Sequence, residues 1–369
     1  MANEFITIQE IARQALPRLV ENLVFPNLIH KDYSNDFVAG KGATIQVRKP
    51  VVLEAAEFDA SKGIAPQDIK EDTVPVTLDK LATVDIEISA IEGATNIDTI
   101  NRVFIEPAAV ALAQKINADG LSLYKDIPYI ARGNEDKFSL TSISEARHKL
   151  NDNKVPASPR RAVWSPKADA DFTTIPAIIN AEKSGSTSAL RDGSIGKIFG
   201  FDNYMSQAVC AHTSGITAAD TLKVSKAVSE GAVTVNISGT ALTGKFAVGD
   251  VLVIDGKSYV VTKESAEAAS NAIANVEVYP ALPAITANTA VEFIGVHDAN
   301  LAFHPNAFAF VTRPLTKPAG VESYVTSYNG ISLRVTRGYN MQYKKEMISM
   351  DVLYGYKTMY PELATRVVK

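Results

Sequence analysis

Phe303-His304-Pro305-Asn306-Ala307-Phe308-Ala309, Gly330-Ile331-Ser332-Leu333-Arg334-Val335-Thr336-Arg337, Asp351-Val352-Leu353-Tyr354-Gly355 and Tyr360-Pro361-Glu362-Leu363-Ala364 follow one another in the last quarter of the chain. These four ordered blocks decide the fold, because nothing else in the sequence points to chemistry.

Immediately upstream the composition shifts. No arginine occurs between Arg191 and Arg313, and from Thr217 to His297 the chain is rich in Val, Ala, Thr, Ser and Gly. Val233–Ile237, Asp250–Ile254, Lys257–Thr262, Asn275–Tyr279 and Ala290–Ile294 read as short strands, and Asp255-Gly256 between two of them is a hairpin signal. Many short strands with glycine turns predict a small β-barrel or sandwich. Its aromatic residues, Phe246, Tyr259, Tyr279 and Phe293, fall mostly in strand patterns and are expected in its core.

Further upstream, Ile105-Glu106-Pro107 opens the strongest helix. Proline suits a first-turn position, where its missing N–H is no loss, and the Ala-, Leu- and Lys-containing run that follows favours helix. The expected helix, Pro107 to Lys125, is about 28 Å long and places Ala109, Leu112, Ile116 and Leu123 on one stripe. A second helix is expected over Ser142–Asp152, and a short strand, Arg161–Trp164, ends at Ser165-Pro166. Gly42–Lys49 and Val74–Ile88 alternate with period two, as half-buried strands do, and Pro75 makes the second an edge or interrupted strand. Between them, Glu54 to Asp72 holds six carboxylates and two lysines. So long a polar connection is uncommon in a compact domain and marks a functional or solvated segment. At the start, Thr7 and Glu10 form a capping-box pattern for a helix over Ile8–Asn22. Ile8, Ile11, Ala15, Leu19 and Leu23 share one face, and Pro17 should kink or split it.

The composition is that of a globular protein. The 369 residues are 46% hydrophobic and 21% charged, with a formal net charge of -4. Without a basic tail or Lys/Arg block, tight binding to a phosphate backbone is not expected. The single cysteine, Cys210, excludes an intrachain disulfide and fits a reducing compartment. The N-terminus has no basic, then apolar, secretory pattern, and no run of about 18 or more apolar residues predicts a membrane span. The chain is expected to fold and remain in the cytoplasm of the cell that makes it.

Candidate catalytic constellations fail one by one. Histidines 30, 148, 212, 297 and 304 show no metal-ligand spacing with one another or with cysteine. His297-Asp298 points to opposite faces of a strand. Asp169-x-Asp171 lacks the further ligands and glycine of a calcium loop and reads as a helix start. Gly239-Thr240-Ala241-Leu242-Thr243-Gly244-Lys245 starts like a phosphate-binding loop, but Phe246 stands where a Ser or Thr hydroxyl is needed and a strand follows instead of a helix. It reads as a hairpin loop. Cys210 and His212 would share a strand face, with the lone cysteine read as buried filler. No Gly-x-Ser-x-Gly elbow occurs, and the sequon Asn236-Ile237-Ser238 has no secretory route. No catalytic, cofactor-binding or metal residue is therefore assigned, and the chain is not expected to be an enzyme.

The four C-terminal blocks resemble the coat-protein family of short-tailed, scaffold-assisted bacteriophages. Ala111-Leu112-Ala113-Gln114-Lys115-Ile116-Asn117-Ala118-Asp119 and Gly200-Phe201-Asp202-Asn203-Tyr204-Met205-Ser206 followed by His212-Thr213 also resemble it. The resemblance covers about four fifths of the chain, all but the inserted β segment. It implies an α+β protein with the tailed-phage major-capsid fold: an N-terminal arm (1–35) against a neighbour, an E-loop hairpin (36–89), a P domain with a spine helix (90–160 and 331–369), an A domain (161–216 and 298–330) and an inserted β-barrel-like domain (217–297). The Glu54–Asp72 segment would then reach over an adjacent subunit, with Glu54, Glu57, Asp59, Lys62, Asp68 and Lys70 as candidate contacts. The short N-terminus agrees with a family that carries no fused scaffolding segment. Implied partners are copies of the chain, as pentamers and hexamers of an icosahedral shell, a scaffolding protein, a portal and enclosed DNA bound without sequence specificity. No cofactor and no membrane are implied, and the implied location is the virion capsid, assembled in the host cytoplasm. A carbohydrate- or peptide-binding module built on the β segment is the alternative.

Overall fold

A computed structural model describes residues 8–31, 44–49, 73–89, 105–133, 137–180, 191–341 and 345–369. In chain order, α1 (Ile8–Asn22) and the short α2 (Phe25–Leu28) precede β1 (Thr44–Arg48), β2 (Thr73–Thr77) and β3 (Lys80–Ser89). Helix α3 (Glu106–Leu121) tightens into a 3-10 turn at Ser122–Asp126 before β4 (Ile130–Arg132), α4 (Leu140–Asp152) and β5 (Arg160–Trp164). Then come α5 (Pro166–Thr173), α6 (Pro176–Ile179), β6 (Lys197–Ile198), β7 (Phe201–Met205) and β8 (Ala211–His212). Six strands follow: β9 (Ile216–Val224), β10 (Ala232–Gly244), β11 (Val251–Ile254), β12 (Lys257–Val261), β13 (Ala272–Leu282) and β14 (Val291–Ile294). The chain returns through β15 (His297–Asp298), β16 (Asn300–Phe303), β17 (Phe308–Thr312), β18 (Glu322–Tyr328), β19 (Ile331–Asn340), β20 (Lys345–Thr358) and β21 (Ala364–Val368).

The C-terminal blocks build the centre of this architecture. Long β20 pairs with β3 along one edge, and with β19 and then β17 along the other. Its inner face carries Ile348, Met350, Val352 and Tyr354 into the main core with Leu333 and Val335 of β19. Phe303 and Phe308 stack edge-on at 5.4 Å and both meet Phe25 of α2 at 5.6 Å. Such aromatic pairs contribute roughly 0.5–1.5 kcal/mol each beyond area burial. Asn329-Gly330, both at positive φ, makes the two-residue turn between β18 and β19, a geometry that asparagine and glycine adopt with least strain. Gly355 is required by contact: a Cβ there would run into the Thr77 carbonyl oxygen, where the β2 end crosses β20.

Helix α3 is the spine expected from the sequence. Ala109, Leu112 and Ile116 are buried, and Leu123 packs partly buried against the same core. The motif residues that follow lock its surroundings. Asn117 Oδ1 accepts from the backbone N–H groups of Val24 and Phe25, each at 3.1 Å, while its Nδ2 donates to the Asn22 carbonyl at 2.9 Å. One buried amide thus satisfies the end of α1 and the start of α2. Asp119 accepts from Tyr354 Oη at 2.6 Å and from Lys115 at 2.9 Å. Burial alone would raise its carboxyl, but these bonds and the charge of Lys80 hold it below the usual range.

Two expectations about α1 change. Pro17 does not split it; one helix runs from Ile8 to Asn22. The apolar stripe is also wider than five residues, because Ala12, Leu16 and Val20 are buried together with Ile11, Ala15, Leu19 and Leu23. That face packs on α3 and on β18 and β19 of the same chain, which holds the helix together across the hydrogen bond that proline removes. The expected arm against a neighbour is, over α1, a helix docked on its own body.

The strands β9–β14 form one antiparallel sheet in the order β14-β11-β12-β13-β10-β9. A bridge from Lys223 to Ala290 brings the two edges together, so the sheet closes as a small barrel. Its core is its own: Leu222, Val224, Val235, Ile237, Phe246, Leu252, Tyr259 and Val276 are buried within it. Asp255 and Gly256 both have positive φ and join β11 to β12. The phosphate-loop-like stretch from Gly239 is not a hairpin loop but the second half of β10, laddered to β9. At Gly239 the β9 chain comes so near that a Cβ would meet Leu222 Cδ2 at 2.6 Å.

Candidate functional site

Three surfaces could carry function. The first is the stem formed by β1 and β2, paired antiparallel from Thr44↔Thr77 to Arg48↔Thr73. Period two splits its faces. Val47, Val74 and Val76 pack on Val311 and Met359 of the body, while Thr44, Gln46, Thr73 and Pro75 are exposed. Pro75 sits inside β2 opposite Gln46, where a two-stranded ribbon needs no further donor; the interruption falls instead at Leu78–Asp79. Lys49, the last described residue of this arm, lies 5.6 Å from the ring centre of Tyr360. Glu54, Glu57, Asp59, Lys62, Asp68 and Lys70 lie outside the described residues.

The second surface is the far end of the β18–β19–β20 sheet. Gly338 pairs with Met347, and a Cβ at Gly338 would meet Val321 at 3.9 Å. Val321, Tyr339, Met341 and Met347 are all exposed there, Met341 at 78%. An ion pair between Arg337 and Glu346 stands beside them. The pairing puts Met347 and Val321 on the Gly338 face of the ladder and Tyr339, opposite Glu346, on the other.

The third is buried. Where the barrel joins the body, β8 pairs with β15 as a two-strand neck, His212 opposite His297. His212 Nδ1 lies 2.9 Å from Tyr124 Oη, and its Nε2 lies 2.9 Å from Asp250 Oδ1. Asp250 Oδ2 accepts from Ser214 Oγ at 2.9 Å and from the Ala247 N–H at 2.7 Å. Arg366 of β21, fully buried, donates to the Gly249 carbonyl at 2.6 Å and lies 5.1 Å from the Tyr124 ring centre. Burial pushes the Arg366 guanidinium down to about 9 and Tyr124 up to about 12. Sequence spacing could not reveal this cluster, since the two histidines are brought together by the closure of the barrel between them. Among the described residues no group of three His, Cys, Asp or Glu side chains is arranged to hold a metal ion.

The remaining candidates fall elsewhere. Asp171 accepts from the Phe138 N–H at 3.2 Å, and Asp169 sits in the first turn of α5, capped by Ser165. Cys210 is exposed while His212 is buried, so the two do not share a face and the thiol is not core filler. Of the barrel aromatics, Phe246 and Tyr259 are buried and Phe293 packs on the core, whereas Tyr279 is 40% exposed.

No protein-family model matches the chain, and no curated protein matches it. Solved structures do. A chain from Mycobacterium phage Che8 is similar at 15% identity and TM-score 0.54, over 93% of this chain and 90% of that one. The capsid of the cyanophage P-SCSP1u is similar at 12% identity and TM-score 0.52, over 94% and 88%. The mature capsid of bacteriophage PhiM1 is similar at 11% identity and TM-score 0.51, over 94% and 86%. The chain has the fold of phage capsid proteins. Within that capsid fold, α3 is the spine helix. No helix among the described residues is long and apolar enough to cross a membrane.

Proposed function

We propose that the chain is a major capsid protein, the structural subunit that assembles with copies of itself into the icosahedral shell of a bacteriophage. One observation carries this reading. The likeness to phage capsid structures runs through the whole chain, over 93% and 94% of it, and through 86% to 90% of theirs, so it is not confined to a shared sheet or barrel. The subunit would act by geometry alone, with no catalytic role.

Stable association needs about 1,000 Å² of buried surface or more. An extended hairpin supplies such area without enlarging the core. The Glu54–Asp72 segment lies beyond a stem whose inner face is already satisfied by the body, and on this reading its six candidate contact residues meet an adjacent subunit. The exposed group around Met341 and Met347 would add a second contact. Pentamers and hexamers, a scaffolding protein, a portal and DNA held without sequence specificity complete the proposed assembly. It would take place in the host cytoplasm and end in the virion. The rival reading, a carbohydrate- or peptide-binding barrel, is not favoured, because Phe246 and Tyr259 are consumed by the core and leave Tyr279 as the exposed aromatic among the four.

Replacing residues 54–72 by a short glycine-containing turn tests the proposal. The unassembled subunit should keep its unfolding midpoint, since a surface loop adds little to the core, and shells should be lost. Normal shells from the shortened chain would rule out this role for the segment.

A further inference from the structure

The neck between barrel and body contains a histidine with no place for a second proton. His297 Nδ1 lies 2.7 Å from the Gly295 carbonyl oxygen. A carbonyl only accepts, so Nδ1 carries the proton of the neutral ring and Nε2 is a lone pair. That Nε2 is buried and has no hydrogen-bond partner among the described residues. The His212 ring is 5.1 Å away, and Arg366, with two of its three guanidinium nitrogens equally unpartnered, belongs to the same seam. We propose that His297 is a proton-operated latch: a second proton would place a new cation and an unpaired N–H beside a buried guanidinium, and this unseats the barrel from the body.

The seat is small enough to be governed this way. Its apolar part is Val251 and Ile294 of the barrel against Ile130 and Val368 of the body, joined by an exposed Arg132–Glu292 pair. Nearby, a cleft of about 740 Å³ separates the barrel from the end of α4, between Lys257 and Tyr259 on one side and Lys149 and Asp152 on the other. The groups around His297 mostly oppose a second charge. Arg366 and His212 repel it, and Asp250, already bonded to His212, Ser214 and Ala247, attracts it. Tyr124 and Asp126 act on Arg366, and Cys210 acts on Tyr124, in the same seam; Asp298 follows His297 on β15. Burial is the largest influence; the Gly295 bond pulls the other way, and the imidazole is held down at about 4.

The sign follows. Above the solvated value of about 6.5, seated and unseated forms are both neutral and the seat is at full strength. Below it, the unseated form binds a proton that the seated form refuses. Seating therefore weakens as pH falls from about 6.5 towards about 4, by up to about tenfold per pH unit.

Hydrogen exchange of the full-length, unassembled chain, corrected for the intrinsic pH dependence of exchange, reads this directly. Peptides covering β8 and β15 should lose protection about tenfold per pH unit below 6.5, while the β18–β19 ladder keeps its protection. His297→Gln, which cannot charge, should abolish the pH dependence. Protection of the neck that stays level down to pH 4.5, or falls equally in the variant, would overturn the proposal. If the variant does not fold, histidine-labelled NMR of the wild type decides. A seated His297 ring still neutral at pH 5, together with falling neck protection, supports the latch. A ring that charges near 6.5 with the neck intact refutes it.

Discussion

Asn117→Ala probes the junction on which the N-terminal helices depend. The amide makes three hydrogen bonds, accepting from Val24 and Phe25 and donating to Asn22. Its residue is 4% exposed, so water cannot simply replace it. The Asn22 carbonyl lies on an exposed residue and can turn to solvent; the two N–H groups, one buried and one partly buried, cannot. A buried polar group left unmade costs about 1–3 kcal/mol, which gives about 2–6 kcal/mol for the pair. That is a large share of the roughly 5–15 kcal/mol by which domains are stable. Urea unfolding of the unassembled subunit should show a clear fall in midpoint, with faster hydrogen exchange over residues 19–28. Gln114→Ala, one turn earlier on the exposed side of the same helix, should stay within about 0.5 kcal/mol of wild type. Equal midpoints for the two variants would refute the claim that Asn117 joins α1 and α2 to the spine.

Leu112→Ala, deep in the main core, should cost about 2–5 kcal/mol in the same unfolding assay, and a midpoint at the wild-type value would mean that this face is not core. Gly355→Ala drives a methyl group against the Thr77 carbonyl and should destabilise by about 1–3 kcal/mol, with increased exchange in β2; an unchanged melt would show that the crossing is looser than described. Residues 216–296 expressed alone should give a β-type circular dichroism spectrum and a cooperative melt, because the barrel carries its own core; a disordered spectrum would count against an independent unit.

Much of this was legible because local signals agreed with the global fold. The limits of α1, the start of α3 at its proline, the Asp255-Gly256 turn and five of the six barrel strands all follow from periodicity and turn chemistry. What escaped was set by long-range packing. Strand β9 was missed because Ala218, Ala219 and Asp220 are exposed on a barrel edge and show no apolar alternation. Gly239 looked like a loop residue, but it is glycine because β9 crosses it closely. The continuity of α1 through Pro17 depends on contacts with α3 and β19, which no window of fifteen residues contains. The Asn329-Gly330 turn, by contrast, is a local signal carried by its dipeptide alone. The His212–His297 neck had no signal at all, since eighty-four residues of barrel separate the two positions.

The central claim is that this chain is built to associate with itself. Sedimentation velocity of the purified full-length chain, with negative-stain electron microscopy of each sedimenting species, measures it most directly. The account predicts rings or closed shells of uniform size, alone or once a scaffolding protein is supplied. A chain that remains a folded monomer at every concentration, with its partners present, would contradict it.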